Sequence, residues 1–81
     1  MKLFVKGIEK SINEAMLEGV FAQHGKVVST KIVYDRITWE SRGFGFVEFL
    51  KKEEALKAIE KLHGTELRGK VLSVTEAEER R

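Results

Sequence analysis

The sequence predicts an α+β sandwich, a four-stranded antiparallel sheet carrying two helices on one face, in the order strand–helix–strand–strand–helix–strand. Three observations predict it. Apolar residues recur at every second position in four stretches and at every third or fourth in two others. Glycines punctuate those stretches, at Gly7, Gly25 and Gly64. In RGFGFVEF, residues 42–49, Phe44 and Phe46 share one parity while Val47 and Phe49 share the other, so the stretch puts aromatic rings on both faces of a strand.

KLFVK (2–6) alternates lysine with apolar residues and reads as the first strand, with Lys2, Phe4 and Lys6 on one face and Leu3 and Val5 on the other. SINEAMLEGVFAQHG (11–25) changes to helical period. Asn13 is placed to cap it, Ile12 and Leu17 to staple its start, and Gly25 to stop it. Leu17, Val20, Phe21 and His24 form the stripe expected to be buried. Gly19 costs this helix about 1 kcal/mol relative to alanine, and close packing on the sheet is the reason expected for it. KVVSTKIVY (26–34) is rich in β-branched residues and reads as the second strand. DRITWES (35–41) is a polar connection holding Trp39, and RGFGFVEF is the third strand. KKEEALKAIEKLHG (51–64) is the second helix, burying Ala55, Ala58, Ile59 and Leu62. Lys52 stands where Ser, Thr or Asp would cap it, and Glu53 and Glu54 compensate through the helix dipole. TELRG (65–69) is a turn and KVLSVTE (70–76) the fourth strand. Residues 1–76 are expected to form one domain, and residues 77–81 a charged tail that frays.

Composition narrows the function. Fifteen Lys/Arg against thirteen Asp/Glu give a net charge of +2, a weak sign of a polyanion partner, so any basic field must be local. Lys2, Lys6, Lys10, Lys26, Lys31, Arg36 and Arg42 lie within residues 2–42, against Glu9, Glu14, Glu18, Asp35 and Glu40, and Glu76, Glu78 and Glu79 precede Arg80 and Arg81 at the other end. The absence of cysteine excludes disulfides and thiolate metal sites and suits a reducing compartment, so a cytoplasmic location is expected. No apolar run is long enough to span a membrane, and MKLFVKG lacks the apolar core of a secretion signal. Catalysis is not expected. The loop GIEKSIN offers Lys10, Ser11 and Asn13 but no glycine nest for a phosphate, and His24 and His63 stand alone and read as structural. No metal and no other cofactor is expected.

Parity then divides the faces. Val47 and Phe49 must join Leu3, Val5, Leu17, Phe21 and Ile59 in the core, with Gly43 and Gly45 on the same side. Arg42, Phe44, Phe46 and Glu48 turn the other way, together with Phe4. A chain this short buries only about 60% of its unfolded surface, so leaving three rings outside the core points to a use for them. Single-stranded bases stack on aromatic rings, and rings two residues apart on a strand lie about 6.7 Å apart, close enough to take neighbouring bases. Lys2, Lys6 and Arg42 surround the rings as candidate phosphate partners. Lys31 on the second strand and Ser73, Thr75 and Glu76 on the fourth are candidates for reading base edges. Three or four neutralised phosphates would give a log–log salt slope of about −2 to −3.

At these residues the chain resembles the RNA recognition motif family. LFVKGI (3–8) is similar to the family's hexamer, and RGFGFVEF fits its octamer at every position. Leu17, Phe21 and Gly25, Asp35 and Thr38, and Ala55, Ala58 and Ile59 extend the likeness over almost the whole chain. The chain also resembles the compact single-domain members found in bacteria. The resemblance implies a ferredoxin-like fold and single-stranded RNA as ligand, with single-stranded DNA as an alternative. It implies that Phe4 and Phe44 stack on successive bases, that Phe46 packs on sugars or a further base, and that Arg42 pairs with a phosphate. There are two departures. Lys6-Gly7 stands where the family often has Gly-Asn, which adds a charge beside the rings. Thr38-Trp39-Glu40-Ser41 stands where Thr-Gly-x-Ser is frequent, which is expected to change the turn. Trp39 either projects into the RNA path or packs on the domain itself, against Tyr34. The expected site is thus Phe4, Phe44, Phe46, Arg42, Lys6, Lys2, Lys31, Trp39, Ser73 and Thr75. The expected state is a monomer, with Met16 and Leu56 marking where a protein partner would meet the helical face. A sheet with exposed rings can bind a peptide instead of RNA, an alternative that Arg42 argues against, since phosphate pairing needs that cation.

Overall fold

Asn13 accepts the N–H of Met16 at 2.8 Å and starts the first helix, α1, Glu14–Ala22. It follows the first strand, β1, Lys2–Lys6, and precedes β2, Val27–Tyr34, and β3, Ser41–Phe49. The second helix, α2, is Lys52–Leu62, and three short strands follow: β4, Glu66–Leu67, β5, Lys70–Val71, and β6, Ser73–Glu76. These elements come from a computed structural model that describes residues 1–77. The acidic and basic residues expected in a frayed tail, 78–81, lie outside the described residues, while the N–H of Ala77 is still bonded to the carbonyl of Lys2 at 2.9 Å.

The main sheet is four-stranded and antiparallel, in the order β2-β3-β1-β6. Both helices cover one face of it. Leu3 and Val5 of β1, Val47 and Phe49 of β3, Leu17 and Phe21 of α1, and Ala55 and Ala58 of α2 are at most 1% exposed. Phe21 and Phe49 meet with ring centroids 6.3 Å apart, so the period-2 and period-3.6 patterns converge on one core. Val20, His24, Ile59 and Leu62 are only half-buried. Met16 packs against the core, while Leu56 is largely exposed.

The fourth strand departs from the expected 70–76. Leu67 and Lys70 pair across a two-residue loop, Arg68-Gly69, to make a separate β4–β5 ribbon. Arg68 and Gly69 have φ of 53° and 87°, the positive values that a primed hairpin turn needs at both central positions. Leu72 then breaks the strand. It is 1% exposed, and its backbone donates to Thr65 and accepts from Gly64, both at 2.8 Å, leaving only Ser73–Glu76 to pair with β1.

The glycines also act differently from expectation. Gly25 does not have the positive φ of a helix stop. α1 ends earlier, at Gln23, so His24 lies beyond the helix. A Cβ on Gly25 would strike the side chain of Glu54, whose carboxylate accepts the N–H of Lys26 at 2.9 Å. Gly19 does not pack closely on the sheet but faces open space. Gly64 does stop α2, with φ of 85°. The cap of α2 is Lys51 rather than Lys52, and its side chain makes no capping bond. His63 has a structural bond, its Nδ1 accepting the N–H of Val74 at 3.0 Å.

Candidate nucleic-acid interface

Antiparallel pairing sets the open face in rows, because residues directly opposite one another point to the same side. One row runs Lys31, Phe46, Phe4, Thr75 across β2, β3, β1 and β6. The next runs Phe44, Lys6, Ser73, and a third places Ser29 and Lys2 on either side of Glu48. Eight of the expected site residues therefore share the face that no helix covers: Phe4, Phe44, Phe46, Lys2, Lys6, Lys31, Ser73 and Thr75. Glu76 does not. It pairs with Leu3 and shares the parity of buried Val74, which directs it to the helical side.

Phe4 is the hub of the rings. Its centroid lies 5.8 Å from that of Phe44, edge-on, and 5.3 Å from that of Phe46, tilted. All three rings are half-buried, held by one another with part of each still open to solvent. The ammonium of Lys2 sits 5.8 Å from the Phe46 centroid, within cation–π range. Phe46 is thus partly covered by a cation as well as by Phe4.

Two glycines shape β3, neither by thinning it between rings and helices. A Cβ on Gly45 would lie 2.2 Å from the carbonyl oxygen of Lys31, so the close neighbour is the backbone of β2. Gly43 has φ of 84° and accepts the N–H of Ile8 at 3.0 Å. Strand alternation is interrupted there, and the exposed Arg42 before it stands at the end of the sheet rather than in a row. It lines a cleft with Lys10 of the β1–α1 loop and Lys70 of β5. Lys10 and Lys70 were not among the expected site residues. Their approach depends on the LRGK hairpin, whose Leu-Arg-Gly-Lys spacing was a readable turn signal.

The β2–β3 loop turns at Trp39, whose φ of 63° is the left-handed value a glycine would adopt without cost and which costs a residue with a side chain about 1–2 kcal/mol. The loop is held by the N–H of Asp35 on Glu40 at 2.8 Å and that of Trp39 on Asp35 at 2.9 Å. The Asp35 carboxylate accepts from Ile37 at 2.8 Å and Thr38 at 3.0 Å. Those two N–H groups, Thr38 first, hold the Asp35 carboxyl below the usual carboxylate range, with the Arg42 charge adding to them. Trp39 is 75% exposed and Ile37 88%, so Trp39 does not pack on the domain's own surface.

Among the described residues no cluster of His, Asp or Glu could hold a metal ion, and no helix is long and apolar enough to cross a membrane. The site is thus a half-buried aromatic cluster, rimmed by lysines, on the sheet face opposite the helices. The sequence matches the RNA recognition motif over residues 3–73. It is 46% identical over 79 residues to a 31 kDa chloroplastic ribonucleoprotein of Nicotiana sylvestris, covering 98% of this chain and 25% of that protein. The structure is similar to that of RNA Binding Protein PG1, with a TM-score of 0.94 at 41% identity, covering 100% of this chain and 98% of that one. It is also similar to the Sxl-lethal protein/RNA complex, with a TM-score of 0.89 at 33% identity, covering 94% of this chain and 47% of that one. The chain belongs to the RNA recognition motif family, and its fold is the ferredoxin-like sandwich of that family. It spans about a quarter of the length of the chloroplastic relative. Family membership makes it a binding module, not an enzyme.

Proposed function

We propose that the chain binds short single-stranded RNA across the open face of its sheet. The observation that carries this reading is the ring cluster, Phe4 within 5.8 Å of Phe44 and 5.3 Å of Phe46 on a face no helix covers. Phe4 and Phe44 stack on two successive bases. Phe46, already under Lys2, packs on a sugar or a further base. Arg42, Lys2 and Lys6 pair with phosphates. Lys31, opposite Phe46 on β2, and Ser73 and Thr75, beside the rings on β6, meet base edges. The likeness to a protein solved as an RNA complex supports RNA as the ligand, and single-stranded DNA is the competitor to test against it.

Trp39 stands at the end of the platform and stacks on a nucleotide leaving it. Its strained backbone supports a functional role, because a glycine would form the same turn at lower cost. Trp39 is the sole tryptophan, so its fluorescence reports the loop directly.

Titrating mixed-sequence RNA and DNA oligonucleotides at low salt, read by fluorescence anisotropy, tests the reading. Saturable RNA binding, quenching of Trp39 and loss of affinity on removing Phe44 and Phe46 are expected. A wild-type protein that binds no RNA would overturn it. The working state in this reading is a monomer, checked by light scattering. The expectation of a cytoplasmic location finds no support in the relatives, one of which is chloroplastic. An organellar compartment fits a cysteine-free chain equally well.

A further inference from the structure

We infer that the cleft between the β1–α1 loop, the start of β3 and β5 extends the phosphate contact of Arg42, adding Lys10 and Lys70 to it. For RNA as the source of that phosphate, the inference rests on the reading above. The cleft has a volume of about 380 Å³, room for a phosphate with its sugar.

Its cations come from three separate elements. Lys10 lies before α1, Arg42 at the entrance of β3 and Lys70 on the β4–β5 ribbon, and all three line one cavity. Solvent-exposed cations repel one another, so three converging on one cavity make a positive field that an anion relieves. One carboxylate, Glu9, also lines the cleft and offsets one of the three positive charges, leaving the cations in excess. The hydroxyl and the N–H of Ser11 donate to it, and Arg68 donates to the same hydroxyl at 3.1 Å. Those bonds from Ser11 hold the Glu9 carboxyl below its usual range, with smaller contributions from Arg68 and Lys10.

The walls are built rather than incidental. The N–H of Ile8 on Gly43 at 3.0 Å ties the loop to β3. Gly7, with φ of 77°, lets β5 approach so closely that a Cβ there would lie 2.1 Å from the carbonyl oxygen of Val71. Lys70, next in the chain to Val71, is held at the rim by that contact and by the Arg68-Gly69 turn. Gly43 leaves no side chain on its part of the wall. Arg42 is two residues from Phe44 in the chain, which places the cleft next to the end of β3 that carries this ring.

The test compares salt dependence. In Lys10→Gln with Lys70→Gln, the log–log slope for RNA is expected to become shallower by about 1.4, the share of two phosphate contacts on a single strand. Lines that differ by that slope and converge near 1 M salt differ about twenty-five-fold in affinity at 0.1 M. Lys57→Gln with Lys61→Gln on α2 removes equal charge from the far side and is expected to leave the slope in place. An equal loss in both double variants, or no loss in the first while Phe44→Ala still weakens binding, overturns the cleft and leaves the RNA reading standing. Oligonucleotides with a 5′-hydroxyl or a 5′-phosphate identify the source. Equal affinities assign an internal phosphate, and a preference for the phosphorylated end that the double variant abolishes assigns a terminal one. Should the wild type bind no RNA, titration with inorganic phosphate decides separately. Shifts of the Ile8 and Gly43 amide resonances that vanish in the double variant uphold an anion site, and their absence overturns it.

Discussion

Phe49 and Phe44 lie on the same strand and illustrate its two sides. Phe49 is 1% exposed and meets Phe21 of α1 at 6.3 Å, in a core to which β1, β3 and both helices contribute. Phe44 is half-buried and meets another ring of the sheet, Phe4, at 5.8 Å. The first ring is surrounded by groups that fold with it, and its burial is part of stability. The second is covered on one side only, and the contact area it leaves open is available to a ligand. A domain of this size gives up core-forming area on one face of its sheet, and that is the face we propose for RNA.

The comparison can be broken most forcefully at Phe49. Phe49→Ala should destabilise the fold by about 3–5 kcal/mol, read by thermal or urea unfolding. A stable variant would show that the inner face is not where parity puts it. Next, Phe44→Ala with Phe46→Ala should cost about 2–5 kcal/mol in RNA affinity, with a far smaller fall in Tm than Phe49→Ala causes. Equal losses of stability would erase the distinction between the faces. Gly45→Ala sharpens it further. The new methyl meets the backbone of β2 at Lys31, so unfolding should show a loss of about 1–3 kcal/mol. At the loop, Trp39→Gly should hold or raise stability by about 1 kcal/mol, because the left-handed backbone loses its steric penalty. A fall in Tm would mean that the indole makes contacts that stabilise the domain.

The smallest effect is a dependence on pH. The folded-state Asp35 carboxyl titrates below its unfolded value, so its contribution is present above the unfolded value and lost as pH falls through the folded one. Amide exchange at Ile37 and Thr38, corrected for the intrinsic rate, should lose protection over that acidic window and at all pH values in Asp35→Ala. Protection that stays constant through the carboxylate range would exclude Asp35 as the organiser of the loop.

Legibility varied with the distance over which residues act. Phe4, Phe44 and Phe46 could be assigned to one face from alternation within two short strands, a local property of the chain. The capping of α1 by Asn13 was readable for the same reason. KVLSVTE looks continuous in sequence, but buried Leu72 breaks it, and the turn at Arg68 and Gly69 pairs Lys70 and Val71 with β4 instead of β1. Glu76 was misplaced with it, since its face follows from its pairing with Leu3. The reason for Gly45 was out of reach, because the atom it makes room for belongs to a different strand.

The sequence by itself determined the order of elements, the two faces of the sheet and the family, because periodicity and the octamer are properties of neighbouring residues. Only the tertiary structure decided that Lys10, Arg42 and Lys70 share a cleft, that Trp39 has a left-handed backbone, and that Lys2 covers Phe46. Each depends on how separate segments meet or how a turn closes, and pairing register and hydrogen bonds, not composition, settle that.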